Sequence, residues 1–475
     1  MNNPEPQLGD LEPFVKTLEK FKRLDLAIDV LNEFGKYASN YDQYDNIAKC
    51  FFKLKLYNDA IKFSEKTLAV AGNSQQIYTA RFNLINVYNH ANYPEKAMRY
   101  IKMNQAVIPN DIDIILEKAY SHFLLNEKNE AERILTEALL VPNLPEEYIT
   151  KIKFNLGTYF LYRDQFQQGL KLFLEEGAKM KFWNTESLFA RNINFNFETF
   201  ERKVKAQQFI KWDGVPKPGK KLIIHAEAGI GDEIINFRFM KKIVELGMDT
   251  YWYNSYTERK DLLQVFGRHG YKTIQSLGEV LSDSEIYYAQ SMHLPIVMNL
   301  EYADLWYGPY IHADSVFIDK WKKIKSNKPT IGIRWQGNPA YDQDLHRSFP
   351  LQQLLDSLDG IDANLFSLQK DNGLEELDSR ILDLSDRLNS WEDTLGVMEN
   401  LDLIITSCTS VAHAAAALGK KTCVLVPISA YYVWSHSMDQ SPWYGDHVKL
   451  FRQERPRVWD EPIAKLKQWL HHEAW

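Results

Sequence analysis

Two short stretches of this sequence place reactive side chains where a strand gives way to a helix. The first is Lys221-Leu-Ile-Ile-His-Ala-Glu-Ala-Gly-Ile-Gly-Asp232-Glu233, an apolar run that meets Gly229 and Gly231 and then a helix with Ile234, Ile235, Phe237, Phe239 and Met240 on its apolar face. Leu222–Ile224 reads as a buried strand, and the glycines supply the freedom for a tight turn. A helix N-terminus at such a turn offers unbonded N–H groups and a positive dipole end, which is where open α/β sheets bind ligands. What sits there is Asp232, with Glu233 beside it. Ile234 occupies the third glycine of the dinucleotide pattern, no P-loop lysine follows, and two carboxylates repel a phosphate. The dipole favours an ionised Asp232, which suits a general base; the same residue also fits a helix cap.

The second stretch is Asp402-Leu-Ile-Ile405, a strand that opens into Thr406-Ser-Cys-Thr-Ser410 and the small-residue helix Val411-Ala-His-Ala-Ala-Ala-Ala-Leu418, closed by Gly419. Hydroxyls and free amides stand together at a helix N-terminus with no acid nearby, so this is the best phosphate site in the chain. Thr409 and Ser410 supply hydroxyl or amide contacts, and His413, one turn in, reaches a phosphate oxygen or is satisfied in the core. Lys370, Arg347 and Arg334 fall on strand-end loops, where a cation offsets the charge of a departing diphosphate. Cys408 with His413 is a third possibility, a nucleophile pair, but no orienting group is evident. Tyr431, Tyr432, Trp434 and Trp443 either stack on a ligand or form core.

These residues need elements to position them. From the start to about Met180, apolar residues recur at helical spacing, and Ala27, Ala60, Ala97, Ala131 and Gly169 stand early in successive second helices, 33, 37, 34 and 38 residues apart. That spacing clusters around the tetratricopeptide period. Small residues twelve positions earlier are Ala48, Ala119 and Gly157, whereas Val15 and Ile85 break the pattern. Stacked hairpins of this kind make a surface for an extended partner, and Tyr78, Asn83, Tyr88 and Asn89 line it or pack within it. The expected domains are a helical repeat over 1–212, a Pro/Gly linker over 213–220, and two Rossmann-like halves over 221–325 and 326–475. Strands are expected at 250–254, 271–274, 285–289, 330–335 and 363–368, alternating with helices at 259–268 and 351–358, which implies parallel sheets covered by helices. The stretch 184–212 reads as a last helix or two, and 462–470 as a terminal helix that ties the halves together.

Composition narrows the class further. A hydrophobic content of 45% with 25% charged residues is that of a soluble globular protein, and the net charge of -7 argues against a dedicated nucleic-acid binder. Cys50, Cys408 and Cys423 are too scattered for a disulfide framework or a zinc knuckle. The polar, acidic start shows no signal peptide, and no apolar run is long enough to span a bilayer, so a cytoplasmic protein is expected.

Five islands carry a family resemblance: Ala228-Gly-Ile-Gly-Asp232-Glu; Gly332-Ile-Arg-Trp-Gln-Gly-Asn338 with Arg347-Ser-Phe-Pro; Ser367-Leu-Gln-Lys370; Thr406 to Lys420; and Ser441-Pro-Trp-Tyr444 with Lys449-Leu-Phe-Arg452. In this order, from Lys221 onward, the chain resembles the bacterial heptosyltransferases (glycosyltransferase family 9-like) and their tetratricopeptide-fused relatives, which are GT-B glycosyltransferases. The resemblance implies a metal-independent, inverting transfer from a nucleotide-sugar donor to a hydroxyl of a protein or glycan acceptor held by the repeats, with no cofactor. It implies Asp232 as general base and Thr409, Ser410 and His413 at the donor phosphates, joined by Lys370 and Arg347. Gly231, Arg334, Cys408 and Trp434 complete the candidate donor site. The family's Asp-Thr pair is Cys408-Thr409 here. Asp342-Gln-Asp344 matches the metal-holding signature of the other large glycosyltransferase fold and is expected to be accidental. The competing class is a non-catalytic tetratricopeptide scaffold on a degenerate sugar-nucleotide fold.

Overall fold

The structure, a computed structural model, describes residues 11–20, 23–180, 209–280, 285–339, 341, 343–370 and 372–472. Most of the stretch 184–212 lies outside them.

Ten helices come first, in five antiparallel hairpins: α1 (Leu11–Lys20) with α2 (Leu24–Tyr37), α3 (Tyr41–Lys53) with α4 (Tyr57–Ala69), α5 (Ser74–His90) with α6 (Pro94–Gln105), α7 (Ile112–Leu124) with α8 (Lys128–Ala138), and α9 (Glu146–Tyr162) with α10 (Phe166–Lys179). The five small residues of the repeat each fall at the fourth position of the second helix, and all are buried. Their smallness sets the helix spacing. A Cβ on Gly169 would stand 2.6 Å from the Leu161 amide nitrogen, and one on Gly157 would stand 2.7 Å from that of Phe173. In four hairpins the turn is closed by one residue in the left-handed region, Lys55, Asn92, Asn126 or Asp164, with φ between 60° and 63°. Asparagine and aspartate tolerate that conformation best among residues with a Cβ.

The chain divides into two compact units between Pro142 and Asn143, apart from the segment Arg455–Arg457, which clusters with the first. The helical hairpin α9–α10 therefore belongs to the same unit as the α/β halves rather than ending at the 213–220 linker. Gln167 donates its side-chain amide to the Pro295 carbonyl at 3.0 Å and to that of Leu300, and Phe166 packs on Tyr302 and Trp443 with ring centres 4.6 and 5.7 Å away.

The first half holds a five-stranded parallel sheet, β1 (Phe209–Lys211), β2 (Lys221–His225), β3 (Asp249–Tyr253), β4 (Lys272–Ile274) and β5 (Ile286–Gln290), in the order β1-β5-β2-β3-β4. Helices α11 (Ile230–Phe237), α12 (Phe239–Glu245) and α13 (Lys260–Arg268) fall between β2 and β4. After α14 (Ser315–Trp321) comes a seven-stranded sheet of β6 (Thr330–Arg334), β7 (Asn364–Ser367), β8 (Ile381–Leu382), β9 (Leu403–Ser407), β10 (Thr422–Val426), β11 (Gln440–Ser441) and β12 (Gly445–Arg452). Its order is β11-β12-β10-β9-β6-β7-β8, parallel except for β11. Helices α15 (Leu351–Leu358), α16 (Trp391–Glu399), α17 (Ser410–Ala417) and α18 (Asp460–His472) complete it. The terminal helix α18 packs on α15, β10 and β12 of its own half. Its buried side chains Ile463, Leu466 and Leu470 share a core with Leu351, Leu354 and Leu358.

Both strand orders reverse direction once. In the first sheet the chain runs from β2 outward through β3 and β4, then returns to the other side of β2 as β5. In the second it runs from β6 through β7 and β8, then returns beside β6 as β9. Loops diverge at the carboxyl end of each reversal and leave a crevice. These two crevices hold His225–Asp232 and Ser407–Ser410. Among the described residues no helix is long and apolar enough to cross a membrane.

Candidate active site

The turn that leaves β2 is strained and clamped. Ala228 lies at φ 56°, and its carbonyl accepts a hydrogen bond from Arg259 Nη2 at 2.8 Å. Arg259 Nη1 is paired at 2.5 Å with Glu233, whose side chain is fully buried and also faces Trp252 Nε1 at 3.5 Å. Glu233 is thus committed to holding the arginine that holds the turn. The clamp spans 26 residues of sequence, and nothing local to Arg259 signals it.

Asp232 takes no part in this clamp and is itself buried. Its Oδ2 accepts the Gly229 N–H at 3.0 Å, so it does cap the helix, while Oδ1 is buried with no hydrogen-bond partner. Burial pushes its pKa up to about 7, against the opposing pull of the Gly229 amide and the Tyr431 hydroxyl; the nearby Glu227 adds to the rise. Capping therefore uses one oxygen of the carboxyl and leaves the other unengaged. Glu227, not singled out in the sequence, is itself buried, and its Oε2 accepts the Met292 N–H at 3.0 Å.

On the facing half, Thr409 is the N-cap of α17, but its hydroxyl bonds no helix amide and lies 3.5 Å from that of Thr406. The amides of Ser410 and Val411, in the first turn, have no intrahelical acceptor. Arg347 arrives from the loop after β6. Its Nε donates to Asp344 at 2.8 Å, its Nη1 donates to the Cys408 carbonyl at 2.9 Å, and its guanidinium lies 4.5 Å from the centre of the Tyr341 ring. Asp344, the second acid of Asp-x-Asp, is thereby held in an ion pair and accepts the Ser348 hydroxyl at 3.3 Å. Asp342 lies outside the described residues, among which no three His, Cys, Asp or Glu side chains cluster to hold a metal.

Cys408 is buried, with Sγ 3.5 Å from the Leu425 carbonyl and a thiol pushed up to about 12 by burial. It is a neutral side chain, not an activated nucleophile. His413 has other partners: its Nδ1 is 2.8 Å from the Tyr444 hydroxyl and its ring stacks on fully buried Trp434, with centres 5.1 Å apart and an interplanar angle of 11°. Burial, with help from Arg238 and Arg347, pulls its pKa down to about 3, so it meets any ligand as a neutral imidazole. The Trp434 ring is occupied by His413, and Trp443 is likewise core. Lys370 is exposed on the loop after β7, and Arg334 ties the end of β6 to that loop through the Leu368 carbonyl at 3.1 Å.

The two crevices meet at Gly231. A Cβ there would lie 3.0 Å from His413 Cδ2 and 3.6 Å from Ser410 Cα, and α11 packs directly on α17. Glycine lets the two helix N-termini touch. Behind them lies Arg238, fully buried and, among the described residues, without a carboxylate partner. It donates to the carbonyls of Ile235 (2.7 Å), Leu305 (2.9 Å) and Trp443 and to the Tyr310 hydroxyl (3.1 Å), with the Tyr444 ring centre 4.5 Å away. These bonds and aromatic faces offset the desolvation of the charge. They link the end of α11 to Tyr444, and through it to His413.

A helical-hairpin region followed by two Rossmann-like halves, with facing switch-point crevices, is the GT-B arrangement joined to a repeat. No protein-family model matches the chain, and no curated protein sequence does. Among solved structures it is similar to a glycosyl transferase family 9 protein from Veillonella parvula at 10% identity over 50% of this chain and 88% of that one, with TM-score 0.36. It is also similar to ADP-heptose LPS heptosyltransferase II of E. coli at 10% identity over 52% and 97%, with TM-score 0.35. Thermobaculum terrenum O-GlcNAc transferase aligns over 91% of this chain and 90% of its own at 12% identity, with TM-score 0.31.

Proposed function

We propose that the chain is a glycosyltransferase that moves a sugar from a nucleotide-sugar donor to a hydroxyl of a macromolecular acceptor, with inversion and without a metal. The observation that carries this reading is the junction at Gly231. There a buried carboxyl with a pKa near 7 stands next to a helix N-terminus that offers free amides, hydroxyls and the Arg347 guanidinium. One group accepts a proton at neutral pH and the other receives an anion, which are the two requirements of the reaction.

In this reading the acceptor hydroxyl gives its proton to Asp232 as its oxygen bonds to the anomeric carbon. The bond from that carbon to the diphosphate oxygen breaks on the opposite face, so configuration inverts. The leaving nucleotide diphosphate is held by the Ser410 and Val411 amides, with Thr409 and Arg347 beside it and His413 as a neutral hydrogen-bonding group. Lys370, on a neighbouring strand-end loop, adds positive charge. The hairpin surface of the first unit suits an extended acceptor.

The test is nucleotide release from a panel of ADP-, GDP-, UDP-, CMP- and dTDP-sugars in EDTA, comparing wild type with Asp232→Ala. Release that persists in EDTA and disappears in the variant supports the reading and identifies the donor. Donor binding without release on any acceptor, unaltered by the substitution, would make the protein a scaffold instead.

A further inference from the structure

The second α/β half carries a basic groove at the end of its sheet away from the crevice. It lies at the amino ends of β6 and β7 and beside β8, encloses about 630 Å³, and is lined by the segment after α14 and by β7 and β8. Its rim carries Lys320, Lys323, Lys325, Arg380 and Arg387, and none of its fifteen lining residues is acidic. That is unusual in a chain whose acids outnumber its bases by 63 to 56.

The floor is apolar. Phe366 and Leu382 are register partners on β7 and β8 and so share a face, with Ile324 and Trp321 close by. Phe366 is buried, but Leu382 is 54% exposed. The cations differ in how far they are already engaged. Lys320 is paired with Asp393, and Arg380 with Asp356, Asp359 and Asp378. Arg387 lies 4.5 Å over the Trp321 ring, while Lys323 and Lys325 make no ion pair among the described residues.

Charged residues often guard a sheet edge against pairing. Guards stand on the edge strand itself, whereas Lys323, Lys325 and Arg387 come from two other segments and converge on one groove. β8 is the last strand of the sheet, but it is only two residues long and its Ile381 N–H is taken by the Asp378 carbonyl at 3.0 Å, so side chains rather than a backbone ladder define the groove. An apolar floor and a basic rim together match an extended chain with an apolar side chain between carboxylates.

We propose that this groove binds an acidic peptide segment of a partner protein, which lies in the groove, seats an apolar side chain on Leu382 and Phe366, and sets its carboxylates against Lys323, Lys325 and Arg387. The site lies at the opposite strand ends from the crevice, so binding here does not depend on sugar transfer.

The experiment is fluorescence anisotropy of the full chain with a fluorescein-labelled glutamate-rich peptide carrying one central leucine. Saturable binding is expected, weakened by added salt because the contacts are charged and solvent-exposed. Lys323→Glu with Lys325→Glu should lower affinity by about tenfold or more, since each reversal turns an attraction into a repulsion. Arg387→Gln, a milder change, should weaken binding in the same direction, and replacing the peptide's leucine by serine should do so through the floor. Thermal midpoints measured alongside establish that the variants are folded. Absence of saturable binding, or equal affinity in both folded variants, overturns the proposal. Tighter binding of a sulfated oligosaccharide or single-stranded DNA that displaces the peptide overturns it in favour of another polyanion.

Discussion

Asp232→Asn is expected to stabilise the protein while abolishing sugar transfer. The carboxyl has its pKa at about 7 in the fold, chiefly through burial, against an ordinary value of 3.8. At about 1.4 kcal/mol per decade, ionising it in the folded state costs about 4 kcal/mol. The sign follows from proton linkage. Below the ordinary carboxylate range both folded and unfolded chains hold the proton, and no penalty exists. As pH rises toward 7 the unfolded chain ionises while the folded carboxyl keeps its proton, so wild type loses stability until the folded group ionises too. Asparagine carries no such burden, and its Oδ1 keeps the bond to the Gly229 amide. Unfolding midpoints of both proteins, measured from about pH 4 to about pH 9, should therefore diverge with rising pH and then run parallel above about pH 7. Over the same range wild-type turnover should rise through about pH 7, as a carboxylate base requires. Midpoints that stay parallel throughout, or a variant that remains active, would refute the reasoning.

Gly231→Ala puts a methyl 3.0 Å from His413. It should cost about 1–3 kcal/mol as the two helix N-termini are pushed apart, seen as a lower midpoint together with slower nucleotide release. Gly169→Ala, 2.6 Å from the Leu161 amide nitrogen, should cost a similar ~1–3 kcal/mol; circular dichroism during unfolding reads it. Cys408→Ala should retain activity, and native protein should resist iodoacetamide at Cys408, because its thiol is buried and neutral. Modification at that residue mapped by mass spectrometry on the folded protein would count against this. Arg347→Met removes the guanidinium that bridges Asp344 and the Cys408 carbonyl, and should raise the donor KM by about tenfold or more, as expected for a lost charge-assisted contact.

The repeat was legible because its information is local. A small residue at the fourth position of each second helix, recurring with the hairpin, sets each helix crossing from within about one hairpin of sequence. Strands β2, β6, β7 and β9 were legible as short apolar runs followed by turns, and with them the positions of Asp232 and Thr409 at helix starts. Strands β1, β8, β10, β11 and β12 are not among the expected strands; β1, β8 and β11 are only two or three residues long, too short to carry a periodic signal.

What the sequence alone could not decide was the partnership of each side chain. Asp232 reads from the sequence as a base or a helix cap; Arg259, far along the chain, takes the adjacent Glu233 into a clamp, while Asp232 caps the helix with one oxygen and keeps the other unengaged. His413 and Trp434 each read as either a ligand contact or core, and only the packing shows that they stack on each other beside Tyr444. The hairpin α9–α10 reads as the end of the repeat, but packing places it with the α/β halves. Local backbone preference and apolar periodicity fix which segments form helices and strands. Desolvation and pairing, which set a pKa near 7 or an arginine's partner, depend on groups brought together only when the sheets and helices pack.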